Sequence, residues 1–237
     1  MGLGSFGRSA LAGLGDKGKQ PGQYAVADTV EFGSLAYSDG IIAVYRHQGD
    51  IYDGTLGIDI FRQFLIGLDL IENRIDLQPL PPIEGRRRDH PSDWGDLDRT
   101  VIPELSDFLP FYSMGHLILL ETKLNGYKAG YFALDTGAMN TTTSLEAGEL
   151  FLKVFPAKVK IRGISGTARK TMTARSVMLQ IGPYRQMNRP MYLCSFRELS
   201  RSMGFELSGL LGITLLDQFT VIIDFRDGLV KLCHRGK

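Results

Sequence analysis

The amino-acid sequence predicts an all-β protein that consists of two related lobes with a few short helices. Three observations support this fold class: short apolar segments alternate with turn residues, helix-start signals are limited to two capping boxes, and one segment of the first half recurs in the second. Short apolar runs bounded by glycine, proline or asparagine are typical of strands. A chain of 237 residues, 43% of them hydrophobic, can form one large or two small domains with a packed core.

Residues 1–78 form the predicted first lobe. The segment Tyr24–Phe32 carries Val26, Val30 and Phe32 at even spacing, as a half-buried strand does. A glycine-rich segment, Gly13–Gly22, precedes it. Glycines at this density indicate turns between strands.

Residues 79–110 are predicted to be a linker between the lobes. Regular structure is interrupted there by Pro79, Pro81, Pro82, Pro91 and Pro103, and a run of three arginines, Arg86 to Arg88, is surrounded by acidic residues. A solvated linker explains this mixture of charges better than a nucleic-acid-binding patch does.

Residues 111–237 form the predicted second lobe. Two apolar segments, His116–Leu124 and Tyr127–Leu134, flank Asn125-Gly126, which is a strong signal for a two-residue β-hairpin turn. Short helices are predicted at two capping boxes, Thr143 with Glu146 and Ser195 with Glu198, the second of which should end at Gly204.

The two lobes are related by a repeat with a constant offset of 155 residues. The segment Gly54–Phe64 corresponds to Gly209–Phe219 (209 − 54 and 219 − 64), and each is followed by two predicted strands. Residues that recur unchanged at this offset include Gly54, Gly57, Ile58, Gln63, Phe64, Asp69 and Leu77. Further upstream, Ala25–Gly33 aligns with Ala174–Gly182, and the glycines near Gly13 align with those near Gly163. A period of this length indicates two similar units rather than a solenoid.

One short motif in the second lobe points to chemistry. The apolar strand Phe132-Ala133-Leu134 runs directly into Asp135-Thr136-Gly137 and Ala138. A strand that ends in this way holds a carboxylate on a rigid element beside a tight glycine turn. The motif resembles the catalytic loop of aspartic proteases, and the small Ala138 resembles the retroviral-type branch. An ordinary Asp-Thr-Gly turn without chemistry is the alternative interpretation.

The resemblance extends over nearly the whole chain outside the linker. Within the family, the chain is most similar to bacterial proteins with two fused retropepsin-like lobes. It implies acid-protease-like closed barrels, each with a catalytic aspartate, a glycine-containing flap and an apolar-apolar-Gly loop beneath it. In the second lobe it implies Asp135, Thr136 and Gly137 as catalytic residues. The substrate-binding flap and supporting residues that it implies are Ala138, Gly163, Ile164, Ser165, Gly166, Gly209 and Gly212, together with Gly13 and Gly15 of the first lobe.

The first lobe lacks its own Asp-Thr-Gly sequence. In the second lobe, 28 residues separate Asp135 from Gly163 (163 − 135). The same spacing before Gly13 gives a position near −15 (13 − 28), so we expect the first catalytic strand to be encoded upstream of Met1. Asp16, Asp53 and Asp59 do not replace it, because none lies in an apolar-Asp-Thr/Ser-Gly context.

The resemblance predicts an aspartic-type endopeptidase that acts on a peptide or protein substrate. Such enzymes use two carboxylates that share a proton, and only one of them, Asp135, is in this chain. Two alternatives stay open. A homodimer would pair two Asp135 loops, and a catalytically inactive pseudo-protease would bind an extended peptide in the same cleft.

Composition also bears on whether the protein binds nucleic acid, a membrane, a metal or a cofactor. The net charge of +1 gives no argument for nucleic acid, and no apolar run approaches the ~18–20 residues of a membrane-spanning helix. Cys233-His234 lacks zinc-ligand spacing, so we expect no metal and no cofactor. We interpret Cys194 and Cys233 as buried thiols, with a disulfide as the alternative if the protein is exported. The N-terminal residues contain no apolar signal sequence, and the compartment stays open.

Overall fold

We describe the fold from a computed structural model, in which residues 4–45, 54–80 and 107–234 are described. Strands dominate these residues, and helices are limited to three short α-helices and one 3-10 helix. The predicted all-β class with a few short helices is therefore confirmed. Among the described residues no helix has both the length and the apolar character needed to cross a membrane.

The first lobe contains a three-stranded antiparallel sheet. It consists of β1 (Ser5–Leu11), β2 (Gln20–Phe32) and β3 (Leu35–Tyr45), in the order β1-β2-β3. The predicted strand Tyr24–Phe32 lies within β2. A tight turn at Gly33 joins β2 to β3, and Phe32 pairs with Leu35.

The second lobe is built around an eight-stranded sheet that closes on itself. Its strands are β7 (Tyr112–Met114), β8 (Leu117–Leu124), β9 (Tyr127–Leu134), β10 (Thr142–Ser144), β11 (Val154–Pro156), β14 (Thr171–Ile181), β15 (Tyr184–Cys194) and β16 (Gly209–Leu211). The order is β11-β14-β15-β10-β16-β9-β8-β7, and an additional pairing of β14 with β8 closes a six-stranded barrel. The predicted Asn125-Gly126 turn joins β8 to β9, with both turn residues at positive φ.

A two-stranded hairpin stands apart from the barrel sheet. It consists of β12 (Arg162–Gly163) and β13 (Gly166–Thr167), which pair with each other. It corresponds to the predicted flap of the second lobe.

The helices of the second lobe lie near their predicted positions. Helix α1 (Leu145–Phe151) begins after Ser144, whose hydroxyl accepts a hydrogen bond from the Ala147 N–H. The predicted cap, Thr143, instead donates its hydroxyl to the Ser208 carbonyl inside the barrel. Helix α2 (Arg197–Met203) ends at Gly204 in the left-handed conformation, as predicted.

The repeated segments of the two lobes meet in one five-stranded sheet. The first copy forms the 3-10 helix Ile58–Phe61, β4 (Phe64–Asp69) and β5 (Arg74–Pro79). The second forms α3 (Ile213–Leu216), β17 (Phe219–Asp224) and β18 (Leu229–His234). Strands β4 and β17 lie antiparallel at the centre, and Gly67 pairs with Ile222, its equivalent at an offset of 155. The pairing therefore exchanges equivalent residues, as a rough two-fold axis between the copies requires.

The edge of this sheet is formed by β6 (Leu109–Pro110), which pairs with β18. These two residues are at the end of the predicted linker, so the last residues of that segment are part of the sheet. Residues 81–106 of the predicted linker lie outside the described residues.

A single apolar core joins the shared sheet to the barrel. It contains Ile66 and Leu68 of β4, Val221 and Ile223 of β17, and Phe132 of the barrel. A second, smaller cluster lies at the end of the barrel near Asp135. It consists of Leu119, Ala133, Cys194, Phe196, Leu207 and Leu210, and we refer to it as the apical cluster.

Candidate active site

The Asp135 turn lies directly at the end of barrel strand β9. The Asp135 N–H donates to the Leu211 carbonyl at 3.0 Å, and the Asp135 carbonyl accepts from the Ala138 N–H at 3.2 Å. The Asp135 Oδ1 accepts from the Gly137 N–H at 2.8 Å. Backbone groups thus hold the carboxylate in one place, while Thr136 and Gly137 are exposed.

The second glycine loop packs directly against this turn. Strand β16 runs parallel to β9, with Gly209 paired to Phe132. The Gly212 N–H donates to Thr141 Oγ1 at 3.1 Å, and the Ile213 N–H donates to the Ala138 carbonyl at 2.8 Å. The expectation that Asp135 and Gly209–Gly212 meet within one lobe is confirmed.

Gly212 is required by this close approach. A Cβ atom at this position would lie 2.5 Å from the Asn140 carbonyl carbon and 2.6 Å from the Ala138 carbonyl oxygen, well inside van der Waals contact. Only glycine lets the two loops approach this closely.

The flap hairpin faces the same end of the barrel. Ile161 precedes β12 and Ala168 follows β13, and both pack against the apical cluster. Ala138, three residues after Asp135, packs against that cluster as well. The inner face of the flap and the Asp135 turn therefore border one apolar region.

The tip of the flap is joined to the glycine-rich segment of the first lobe. Ser165 Oγ accepts from the Gly13 N–H at 3.1 Å, and the Ser165 N–H donates to the Leu14 carbonyl at 3.0 Å. The Lys17 N–H donates to the Ser165 carbonyl at 2.8 Å. We refer to these three hydrogen bonds as the clasp. They leave Ser165 only 1% exposed, although it is at the tip of a hairpin.

The other predicted flap residues lie around the clasp. Gly163 approaches the Leu14 backbone and Gly166 approaches Asp16, whereas Ile164 remains 38% exposed. Gly15 has φ +142°, and a Cβ atom there would overlap the Ser165 backbone. The structure thus brings Gly13 and Gly15 of the first lobe together with Gly163–Gly166 of the second.

The glycine loop of the first lobe, Gly54–Gly57, corresponds in sequence to Gly209–Gly212. Gly57 precedes the 3-10 helix, as Gly212 precedes α3. Its neighbours are Asp59 and the His116 side chain. In residues 4–45, 54–80 and 107–234, no second Asp-Thr-Gly turn lies beside Gly57 as the Asp135 turn lies beside Gly212.

Cysteine thiols and clusters of metal-ligating side chains are two other kinds of group that can carry chemistry. Burial raises the pKa of the Cys194 thiol to about 12, with a smaller contribution from Glu146, so this thiol is unreactive at neutral pH. Cys194 and Cys233 are both free, which excludes the alternative of a disulfide between them in this structure. The described residues contain no group of three or more potential metal ligands.

Comparison with known proteins gives matches at the level of structure alone. No protein-family model matches the chain, and no curated protein matches it in sequence. The fold is similar to EIAV protease complexed with the inhibitor HBY-793, at 15% identity over 40% of this chain and 96% of that chain, with a TM-score of 0.31. It is also similar to a retropepsin-like aspartic protease from Rickettsia conorii, at 22% identity over 52% of this chain and 86% of that chain, with a TM-score of 0.34.

Three contacts around the Asp135 turn were not predicted from the sequence. Thr141 holds Gly212 through its hydroxyl, Leu14 packs against the apical cluster, and Ser165 is buried in the clasp. All three depend on residues that are far apart in the chain. The alignment of the glycines near Gly13 with those near Gly163 was the one available signal for the clasp.

Proposed function

We propose that this protein is an aspartic-type endopeptidase in which Asp135 is one of two catalytic carboxylates. The observation that carries the proposal is the Asp135 turn. A carboxylate is fixed at the end of a barrel strand by the Gly137 N–H and is braced by the backbone of Leu211. The flap and Ala138 provide an apolar region beside it, and such a region would accommodate the side chains of a peptide.

The chemistry of this reaction needs two carboxyl groups in different protonation states. The ionised carboxylate removes a proton from a water molecule, whose oxygen attacks the peptide carbonyl carbon. The protonated carboxyl group donates its proton as the C–N bond breaks, and the amine leaves with that proton. Close proximity separates the two pKa values, so that one group is the acid and the other the base at the same pH.

A second carboxylate must therefore approach Asp135. Asp135 of a second copy of this chain would supply it in a homodimer, and a segment outside these 237 residues would supply it in a two-lobe enzyme. Thr136 and Gly137 are exposed, which leaves this face of the turn accessible to a partner loop.

The decisive experiment is a peptide-cleavage assay with the oligomeric state measured alongside. Asp135→Asn should lower cleavage by about 10²-fold or more, because the amide can be neither the base nor the proton donor. Asp76→Asn, which removes an exposed carboxylate on β5, is the matched control and should leave cleavage unchanged. Cleavage that survives Asp135→Asn would refute the proposal.

A non-catalytic peptide-binding protein is the second candidate. It is favoured by one observation, namely that the sequence contains a single Asp-Thr-Gly. If this candidate is correct, the chain and Asp135→Asn will both bind a statine-type peptide mimic without cleaving any peptide, whatever the oligomeric state.

A further inference from the structure

The charges of this chain are strongly segregated along the sequence. The 48 residues from Leu150 to Arg197 contain ten lysines and arginines and no aspartate or glutamate. The remaining 189 residues (237 − 48) contain 17 basic and 26 acidic residues (27 − 10 and 26 − 0). The net charge of +1 is therefore the balance of +10 in one segment and −9 in the rest.

The structure places four of these basic residues on the flap hairpin or on the segments that flank it. Lys158, Lys160, Arg162 and Arg169 are all exposed, and we refer to them as the basic surface. Arg162 pairs with Thr167 across the hairpin, and the Ala168 N–H donates to the Ile161 carbonyl. Side chains alternate between the faces of a hairpin. Since Ile161 and Ala168 pack inward on the apical cluster, Lys160, Arg162 and Arg169 point away from it.

The neighbouring basic residues form ion pairs or contact an aromatic ring, whereas the four residues of the basic surface have no ion-pair partner among the described residues. Lys170 pairs with Glu149 at 3.4 Å, and Arg197 pairs with Glu146 at 3.6 Å. Lys153 and Arg175 lie over the Phe155 ring, with the charged groups 5.7 and 4.9 Å from its centroid. Across the described parts of the chain, by contrast, no carboxylate lies within ion-pair distance of Lys158, Lys160, Arg162 or Arg169.

We propose that the basic surface binds an acidic segment of a polypeptide. The choice of a polypeptide rests on the proposed function, since the opposite face of the same hairpin borders the Asp135 cleft. An extended chain advances about 3.3 Å per residue, so acidic side chains a few residues from the cleft would reach the outer face. Val159, before the hairpin, and Ile164, at its tip, are also exposed and fit a segment that mixes acidic and apolar side chains.

A single-stranded nucleic acid is a poorer fit to the same charges. Proteins that bind it combine basic residues with exposed aromatic rings on which bases stack. Phe155 is the aromatic residue of β11, the strand that precedes the basic surface, and its ring is already covered by Lys153 and Arg175.

The test is a binding measurement in the Asp135→Asn background, so that cleavage cannot affect the result. The probe is a fluorescein-labelled peptide in which glutamate, leucine and glycine alternate, and its counterpart has glutamine in place of glutamate. We expect the glutamate peptide to bind, to bind more weakly at high salt, and to be preferred over the glutamine peptide.

Two triple variants locate the binding surface. Lys160→Gln, Arg162→Gln and Arg169→Gln together should weaken binding of the glutamate peptide about tenfold, as expected for three exposed charge pairs. Arg62→Gln, Arg74→Gln and Lys128→Gln together remove the same charge from exposed positions elsewhere, and should change it less than twofold. All six side chains are exposed, so both variants should keep the wild-type melting temperature.

Three outcomes would overturn this proposal. They are equal loss of binding in the two triple variants, no preference for glutamate over glutamine, and tighter binding of a DNA oligonucleotide or a phosphatidylserine vesicle at the same surface. None of them depends on peptidase activity. A failed cleavage assay with retained peptide binding would therefore overturn the proposed catalysis and leave the basic surface intact.

Discussion

Asp69 and Asp224 occupy equivalent positions in the two copies of the repeat, and each closes the turn of a hairpin. Asp69 Oδ1 accepts from the Glu72 N–H at 2.9 Å, and Asp224 Oδ1 accepts from the Asp227 N–H at 3.1 Å. A carboxylate that bonds the backbone three residues later stabilises a tight turn. This shared role explains why aspartate recurs at this position.

The environment of Asp224 has a consequence for stability. Its side chain is fully buried, Oδ2 has no hydrogen-bond partner, and the Arg226 guanidinium lies 3.9 Å away. Burial raises the pKa of this carboxyl group, although the Asp227 N–H and Arg226 act in the opposite direction. Between the unfolded pKa of about 3.9 and the raised folded pKa, the folded state binds more protons than the unfolded state. Asp224 therefore contributes less stability as the pH rises through its folded pKa.

We predict that Asp224→Asn is better tolerated at neutral pH than in acid. The amide oxygen can still accept from the Asp227 N–H, and the variant carries no buried charge at any pH. Relative to the wild type, its free energy of unfolding should be higher at pH 7 than at pH 3, as measured by urea denaturation at several pH values. A difference between the two proteins that does not vary with pH would contradict this prediction, and Asp76→Asn is the exposed control.

At the scale of elements, equivalent glycines in the repeat have different surroundings. Gly209 begins β16 inside the barrel, where a Cβ atom would overlap the Phe132 ring. Its equivalent in the first copy, Gly54, has nothing within 4 Å of such an atom. The same residue type is therefore required by packing in one copy and is unconstrained in the other.

This contrast predicts that replacing glycine by alanine has a large effect on stability at one position and a small effect at the other. Gly209→Ala should lower the free energy of unfolding by about 1–3 kcal/mol, since the added methyl group overpacks the site between β9 and β10. Gly54→Ala, the matched control, should change it by no more than about 0.5 kcal/mol. Both values can be measured by chemical denaturation, and equal losses at the two positions would contradict the different packing.

The accuracy of the sequence-based predictions differs between the turns and the helix starts. The Asn125-Gly126 hairpin was predicted with the correct turn because its signal is local, and both residues adopt positive φ. Helix α1 begins one residue later than its capping box indicated, because the Thr143 hydroxyl bonds to Ser208, 65 residues away. Local signals predict turns, whereas a tertiary hydrogen bond can change the role of a capping residue.

At the scale of the whole molecule, the repeat predicted that the lobes are related, but not that their hairpins share a sheet. Strand β4, predicted within the first lobe, pairs with β17 and shares its core. The basic surface was missed for a different reason. The net charge of the whole chain is only +1, because the acidic residues of the remainder offset the charge of the basic segment.

We predict that β4 unfolds together with the second lobe. Ile66 is fully buried with Val221 and Ile223, whereas Phe6, Ile41 and Val44 of the first sheet are 45–68% exposed. Backbone amides of β4 should therefore exchange with deuterium as slowly as those of β17, and more slowly than those of β1–β3. Hydrogen exchange followed by mass spectrometry measures this directly. Exchange of β4 at the rate of β1–β3 would show that the first lobe opens as one unit.

A ligand that enters beside Asp135 only after the flap leaves the first lobe must break the clasp at Ser165. A net contribution of about 1 kcal/mol for each of its three hydrogen bonds gives an opening free energy of roughly 3 kcal/mol. The open population is then on the order of one molecule in 150. A ligand that enters only when the clasp is open would bind with an affinity about 150-fold below its intrinsic affinity. A ligand that replaces the three hydrogen bonds of the clasp would recover most of that loss.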